Sequence, residues 1–327
     1  MTLYDSYGRP LLNLRVIVTD ECNYRCVFCH IEGEPLNSPI PPGLARSYGY
    51  LSVEDYSVVA EASKRVGIRK IKFTGGEPLL REELPEIIRV FDERGFDDLS
   101  LTTNGFFLDR KSLVLRESGL DRLNVSLHTL RPTVYKLITG VNAFGKVLKG
   151  LEAALNEGFR QVKINAVIMK GLNDGEVPEL IEFASKKGAV LQLIELHPVG
   201  MARDIFEKYY LPLEEIEKYL ESRASRVEVR RDLHNRPIYV MDNGVRVEVV
   251  RPYNNWRFCL GCTRIRISPR GELFPCLNWF GERPSIHRYM NGARSMEEKV
   301  DAVVRAIKDV NKLRRPFYKP PSSHDVA

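Results

Sequence analysis

The stretch LRVIVTDECNYRCVFC, residues 14–29, decides the fold. Its first half, Leu14–Thr19, is a β-branched run of the kind that forms a buried strand. Its second half is a loop carrying Cys22, Cys26 and Cys29 in the spacing C-x3-C-x2-C. Cysteine thiolates are the usual ligands of iron–sulfur clusters, and a fully ligated cubane takes four. A triplet supplies three, so one iron stays open and can bind a substrate or cofactor. Cys259, Cys262 and Cys276 form a second triplet, C-x2-C-x13-C, and account for the rest of the six cysteines. Two such sites point to an enzyme whose two reactants are each held by iron.

Outward from this stretch, strand-like runs alternate with helix-period segments. The runs are Leu14–Thr19, Lys70–Thr74, Leu99–Thr103, Leu123–Leu127, Val162–Val167 and Val190–Glu195. Between them, Val58, Val59, Ala62 and Val66 fall on one helix face, and Leu84, Ile87, Ile88 and Phe91 on another. This pattern predicts an all-parallel α/β sheet with right-handed crossovers, either open and twisted or a partial barrel. Strand side chains alternate between faces. Lys72 and Thr74 alternate with Ile71 and Phe73; Ser100 and Thr102 with Leu99 and Leu101. Asn124 and Ser126 alternate with Leu123, Val125 and Leu127; Lys163 and Asn165 with Val162, Ile164 and Ala166. The apolar face should pack under helices. The polar face should line a lumen, because parallel sheets are normally covered on both faces. Lys163 is then an inward ammonium that needs a partner, expected to be a bound anion rather than a structural ion pair.

After about residue 200 the pattern changes. Leu213–Leu220 reads as a helix, Val227–Val229, Tyr239–Met241 and Val245–Val250 as short strands, and Met296–Ile307 as a helix. The expected organisation is a barrel unit over 1–200, a docked α+β extension with the second triplet over 201–312, and a flexible tail over 313–327.

Composition narrows the function. Hydrophobic residues at 43% and charged residues at 28% of 327 suit an ordinary enzyme. A net charge of +6 suits an anionic small molecule and does not by itself indicate nucleic acid. The start MTLYDSYGRP lacks a basic n-region and an apolar h-region, and no later run reaches a membrane span. A cytoplasmic location is expected, which disfavours disulfides. The second triplet lacks a fourth Cys or a well-spaced His, which disfavours structural zinc. His30 reads as a loop residue beside the first triplet.

The residues Cys22-Asn-Tyr-Arg-Cys26-Val-Phe-Cys29 resemble the radical S-adenosylmethionine (SAM) superfamily. The resemblance implies a [4Fe-4S] cluster whose open iron chelates SAM, with Phe28 near the adenine. When bound, cluster and SAM supply a 5′-deoxyadenosyl radical that takes a hydrogen atom from the substrate. Thr74-Gly75-Gly76-Glu77-Pro78 resembles the superfamily's GGEP motif, which contacts the amino group of SAM's methionine moiety. Glycines permit close backbone approach, and a carboxylate suits an ammonium.

A narrower resemblance, over roughly residues 8 to 310, is to the GTP 3′,8-cyclase family of molybdenum-cofactor biosynthesis. It rests on the run Leu14–Asp20, on Lys72, Leu101–Gly105, Asn124–Leu127 and Val162–Asn165, and above all on Cys259-Leu-Gly-Cys262-Thr263-Arg264-Ile265-Arg266. It implies a (β/α)6 partial barrel with a C-terminal extension, and two [4Fe-4S] clusters, one at each end of the lumen. Arg15, Lys72, Thr102, Lys163, Arg264 and Arg266 match positions that hold GTP, chiefly its triphosphate. Gly76 and Ser126 match SAM contacts. His197 stands where other members have a Met against the adenine and is carried as a candidate. His128 stands where an Asp is common and is assigned no role. The family often ends in Gly-Gly; this chain ends in Val326-Ala327.

The implied reaction joins ribose C3′ of GTP to guanine C8, the first step towards molybdopterin. Implied partners are GTP, an electron donor and a downstream pyranopterin monophosphate synthase, with no nucleic acid and no membrane; a homodimer is compatible. The rival among enzymes is a radical-SAM maturase of peptides or cofactors with one auxiliary cluster. The rival outside enzymes is a binding protein for iron–sulfur or zinc. The close pair Arg264 and Arg266 favours a polyphosphate substrate over the maturase, and GGEP beside a correctly spaced cysteine triplet argues against the binding protein.

Overall fold

A computed structural model describes residues 2–33 and 49–319. Strands β1 (Asn13–Ile17), β2 (Lys70–Thr74), β3 (Asp98–Thr103), β4 (Arg122–Ser126), β5 (Gln161–Ile168) and β6 (Val190–Glu195) lie side by side in chain order, all parallel. Each of these six strands was predicted, with ends shifted by no more than a residue or two. The crossovers are helical: α1 (Val53–Arg65), α2 (Leu84–Asp92), α3 (Leu108–Glu117), α4 (Pro132–Thr139), α5 (Phe144–Asn156) and α6 (Val177–Lys186).

Local chemistry sets the helix ends. Ser52 caps α1 by accepting from the Asp55 N–H, and the Asp55 carboxylate accepts in return from the Ser52 N–H at 2.9 Å. The last turn of α4 closes on Gly140 at φ 77°, a left-handed position that costs glycine nothing. The apolar strand face, including Ile71, Phe73, Leu99, Leu101, Leu123, Val125 and Ile164, packs with Val58, Val59, Ile87, Ile88 and Phe91 in one core. That leaves the polar face turned the other way.

The extension corrects the expectation of a docked unit. It contains α7 (Ala202–Tyr209), α8 (Glu214–Glu221), β7 (Ala224–Arg230), β8 (Arg236–Met241), β9 (Arg246–Val250), α9 (Trp256–Leu260), β10 (Arg264–Ile267), β11 (Leu273–Phe274), α10 (Ile286–Met290) and α11 (Met296–Lys312). β9 pairs parallel with β6, and β10 pairs parallel with β1. The result is one 11-stranded sheet in the order β11-β10-β1-β2-β3-β4-β5-β6-β9-β8-β7. The extension therefore continues the sheet at both edges, so neither β1 nor β6 is left with open hydrogen-bonding groups. Helix α11, capped by Ser295 and Glu298, lies along α1 through Arg65–Glu297 (2.7 Å) and Lys299–Glu54 (2.9 Å) ion pairs.

The tail expectation is corrected for 313–319. Arg314 is 2% exposed, and its guanidinium donates to the carbonyls of Cys262 (2.6 Å), Arg9 and Pro10. Residues 320–327, with Val326 and Ala327, lie outside the described residues.

Candidate active site

The polar strand face lines one cavity, as the alternation predicted. Arg15, Lys72, Ser100, Thr102, Asn124, Ser126, Lys163, Asn165 and Gln192 all face it, and so do all six cysteines. Twelve Lys and Arg side chains line it against four carboxylates, so a chain of modest net charge concentrates its positive charge here.

The first triplet is held from several sides. The Arg25 and Val27 N–H groups donate to Thr139 and Ile138 at the end of α4, and the Met201 N–H donates to the Cys29 carbonyl at 2.8 Å. The GGEP loop lies directly on the cysteine loop: the Gly76 N–H donates to the Thr19 carbonyl (2.8 Å) and the Glu77 N–H to the Glu21 carbonyl (2.7 Å). This contact explains the glycines. A Cβ on Gly76 would lie 2.1 Å from the Glu21 carbonyl oxygen, and one on Gly75 2.6 Å from that of Thr19. Glu77 is buried. Its carboxylate accepts from the Leu79 N–H (3.0 Å), the Thr103 hydroxyl (2.7 Å) and the Asn104 N–H (2.7 Å), and burial pushes it up to about 7.

The second triplet is built by the extension. Asn255 caps the short helix that carries Cys259. Arg9 donates to the Cys259 carbonyl at 2.8 Å and Arg314 to that of Cys262. Burial raises the Cys259 thiol, and the nearby backbone N–H groups of Tyr318 and Phe317 oppose that rise.

Both triplets fit a multi-iron group. All six thiols are free and half-buried. Burial pushes up Cys22, Cys26 and Cys29, and the charges of Cys29 and Cys22 add to the shift at Cys26, placing it at about 12. Cys276 is likewise raised by burial and by the charges of Cys262 and Cys259. The members of each triplet thus feel one another. Among the described residues no three such groups surround a single ion; a cluster instead offers each thiolate its own iron. Cys262 is drawn below its ordinary value, because Arg264, Arg314 and Arg9 outweigh its burial.

The cations are arranged by register. Arg266, Arg15 and Lys72 are direct partners on β10, β1 and β2 and form a row across three strands. Lys72 donates to the Asn124 side chain at 2.9 Å, and among the described residues no carboxylate lies within 4.0 Å of its ammonium; burial holds its pKa well below the ordinary range. Arg264 meets the His234 ring, which burial keeps neutral. Thr102 and Ser126 are half-buried on the same wall. Phe28 packs edge-on to His128 at 4.6 Å between centroids. His128 lines the same cavity and accepts from the Val167 N–H at 3.1 Å. His197 Nε2 faces Asn278 at 3.2 Å, and burial lowers it to about 4. His30 Nδ1 accepts from the Glu32 N–H at 3.1 Å.

One expectation is corrected. Lys163 does point into the cavity, but its ammonium already has a carboxylate partner, Glu248 on β9, and also reaches Gln192 at 3.4 Å. Glu248 pairs in addition with Arg236 (3.0 Å) and stands 3.5 Å from Arg230. Sequence reading missed Glu248 and Glu32. Glu248 carried a signal, since it alternates with Val247 and Val249 and so falls on the lumen side of its strand. Glu32 carried none. It sits in a loop turn, yet it is buried and pairs with both Arg266 (2.5 Å) and Arg15 (3.3 Å).

Comparison with known proteins agrees with this architecture. Residues 16–184 match the Radical SAM superfamily, and residues 189–319 match Molybdenum Cofactor Synthesis C. A probable GTP 3′,8-cyclase of Aeropyrum pernix is 44% identical over 96% of this chain and 87% of its own length. One of Thermococcus kodakarensis is 43% identical over 97% of this chain and 100% of its own. The crystal structure of Streptococcus suis SuiB bound to S-adenosylmethionine superposes with TM-score 0.63, covering 92% of this chain and 69% of that one; at 16% identity this likeness shows the fold alone. The chain belongs to the radical SAM superfamily and, within it, to the GTP 3′,8-cyclase family. The superfamily implies SAM and a [4Fe-4S] cluster. Among the described residues no helix is long and apolar enough to cross a membrane.

Proposed function

We propose that this chain is a GTP 3′,8-cyclase acting in the first step of molybdopterin biosynthesis, with two [4Fe-4S] clusters. The observation that carries this reading is a single cationic cavity with a cysteine triplet on the barrel loop and another on the extension. Cys22, Cys26 and Cys29 would hold the cluster that binds SAM; Cys259, Cys262 and Cys276 would hold a second, which would supply Lewis-acid affinity for the guanine. Phe28, Gly75, Gly76, Glu77, Ser126 and His197 are assigned to SAM. Glu77 keeps one lone-pair direction beyond its three protein donors, enough for an ammonium. Arg15, Lys72, Thr102, Arg264 and Arg266 are assigned to GTP. Lys163 joins them with the one N–H that Glu248 and Gln192 leave over.

When bound, the first cluster and SAM supply the adenosyl radical. The residues named here bind, orient and desolvate. Arginine forks match phosphate oxygens, and the flanking lysines add point charge. Anchoring the triphosphate fixes the ribose relative to the guanine, and fixed geometry is what an intramolecular bond between C3′ and C8 requires. Enclosure in the lumen keeps water from a radical. A peptide maturase has no use for the Arg266–Arg15–Lys72 row.

The test is an anaerobic incubation with GTP, SAM and dithionite, followed by chromatography and mass spectrometry. A cyclised product of GTP should appear together with 5′-deoxyadenosine. SAM cleavage without any consumption of GTP would overturn the assignment.

A further inference from the structure

Glu32 occupies the centre of the proposed phosphate site. Its carboxylate lies between Arg266 and Arg15, at 2.5 and 3.3 Å, and accepts the Thr74 hydroxyl at 2.8 Å. It is 5% exposed and lines the cavity. The two arginines carry two charges against its one. They also offer more donors than it can use: Arg15 Nε is buried without a hydrogen-bond partner among the described residues. Lys72, next in the row, adds a third basic group, with no carboxylate within 4.0 Å among the described residues. The local balance is a cationic site filled by an undersized anion.

The loop that delivers Glu32 is itself under tension. Ile31 at φ 49° and Glu32 at φ 46° both take the left-handed conformation, which is costly for a β-branched residue such as Ile. The His30 ring and the two arginine pairs hold the turn in place. Removing the pairs would remove much of what maintains it.

We propose that Glu32 is an internal counter-ion that holds Arg15 and Arg266 before substrate binds and is displaced by the substrate's triphosphate. A carboxylate offers two oxygens and one charge; a terminal phosphate offers three oxygens and more charge, and can satisfy the unpaired Arg15 donor as well. Displacement costs every phosphate ligand the Glu32 pairs and costs a nucleoside nothing. It therefore selects for ligands carrying several negative charges. The proposal rests on the assignment of Arg15 and Arg266 to phosphate.

The test measures inorganic tripolyphosphate binding by calorimetry, anaerobically, on the cluster-loaded protein. Glu32→Gln keeps size and removes the competing charge, and it should bind tripolyphosphate at least about tenfold more tightly, the worth of one charge-assisted contact. Thr74→Val removes only the hydroxyl that steadies Glu32 and should tighten binding by a smaller factor. It carries the test if Glu32→Gln fails to fold. Guanosine affinity should not change in either variant. Unchanged or weaker tripolyphosphate binding in the two variants would overturn the displacement, since an orienting Glu32 predicts weaker binding. If Arg266→Ala binds tripolyphosphate as tightly as the unaltered chain, the phosphate assignment fails, and the displacement falls with it.

Discussion

Glu248→Gln and Lys163→Met each remove one half of the same buried pair, yet their costs should differ by several-fold in free energy. Glu248 is 1% exposed and is shared by three cations, Lys163, Arg236 and Arg230. Glu248→Gln leaves the Lys163 ammonium and the Arg236 guanidinium without their carboxylate, while Arg230 keeps Asp232 at 3.3 Å, and breaking a buried pair in this way costs about 3–5 kcal/mol. Lys163→Met leaves the carboxylate with both arginines. It loses one charge-assisted hydrogen bond but also one buried ammonium, so the net cost should be about 0–2 kcal/mol. Burial and the neighbouring Arg230 and Arg236 outweigh Glu248 and push Lys163 down to about 8. Between pH 8 and its ordinary 10.5, the unfolded chain therefore holds a proton that the native state has lost. Stability of the unaltered chain relative to Lys163→Met should rise with pH across that window. Urea unfolding of the anaerobic protein, with midpoints compared at constant slope, measures both effects. The double variant should cost less than the sum of the singles. If Lys163→Met were at least as damaging as Glu248→Gln, the charge ledger drawn around Glu248 would be wrong.

Purified anaerobically, the chain should contain about eight irons, four per cubane. Replacing Cys22, Cys26 and Cys29 with Ala should abolish SAM cleavage, while replacing Cys259, Cys262 and Cys276 should leave uncoupled cleavage and no cyclised product; equal loss in both would refute the division of labour. Gly76→Ala drives a Cβ to within 2.1 Å of a backbone oxygen and should cost about 3 kcal/mol or more, with iron lost from the first triplet. Gly145→Ala, where nothing lies within 4 Å, should be neutral or slightly stabilising in the same thermal melt and iron assay. Glu195, which burial raises to about 7, should ionise less readily in the folded chain than in the unfolded one. Stability relative to Glu195→Gln should then fall as pH rises from about 4.5 to about 7, by about 1–3 kcal/mol; a pH-independent difference in unfolding midpoint would contradict this.

The parallel sheet was legible because alternation is a local property. Ile71 and Phe73 against Lys72 and Thr74 give the two faces of β2 without any knowledge of its neighbours. The same rule placed Lys72, Thr102, Ser126 and Lys163 in the cavity. What alternation cannot give is the partner. Arg264–Ile267 is a short run that pairs with Asn13–Val16 at the other end of the chain, and no period in the sequence marks that contact. The attachment of the extension to both sheet edges was therefore illegible. Local pattern likewise makes a loop residue such as Glu32 look like ordinary solvated polarity.

The errors at Lys163 and Glu32 have one physical origin. An inward cation must be neutralised, and sequence reading assigned that task to the substrate alone. A chain that must fold before it meets its substrate cannot wait for it, because an uncompensated buried charge costs several kcal/mol. The protein supplies its own anions instead: Glu248 beneath Lys163, Arg236 and Arg230, and Glu32 between Arg15 and Arg266. The two differ in how they are mounted. Glu248 sits on β9, paired into the sheet on both sides, and cannot leave without breaking strand register. Glu32 sits on a left-handed loop turn that the ion pairs themselves help to hold. A fixed anion keeps its cations in place for the life of the fold. An anion on a tensed loop can be exchanged, and the row Arg266–Arg15–Lys72 is where the exchange leaves charge free for phosphate.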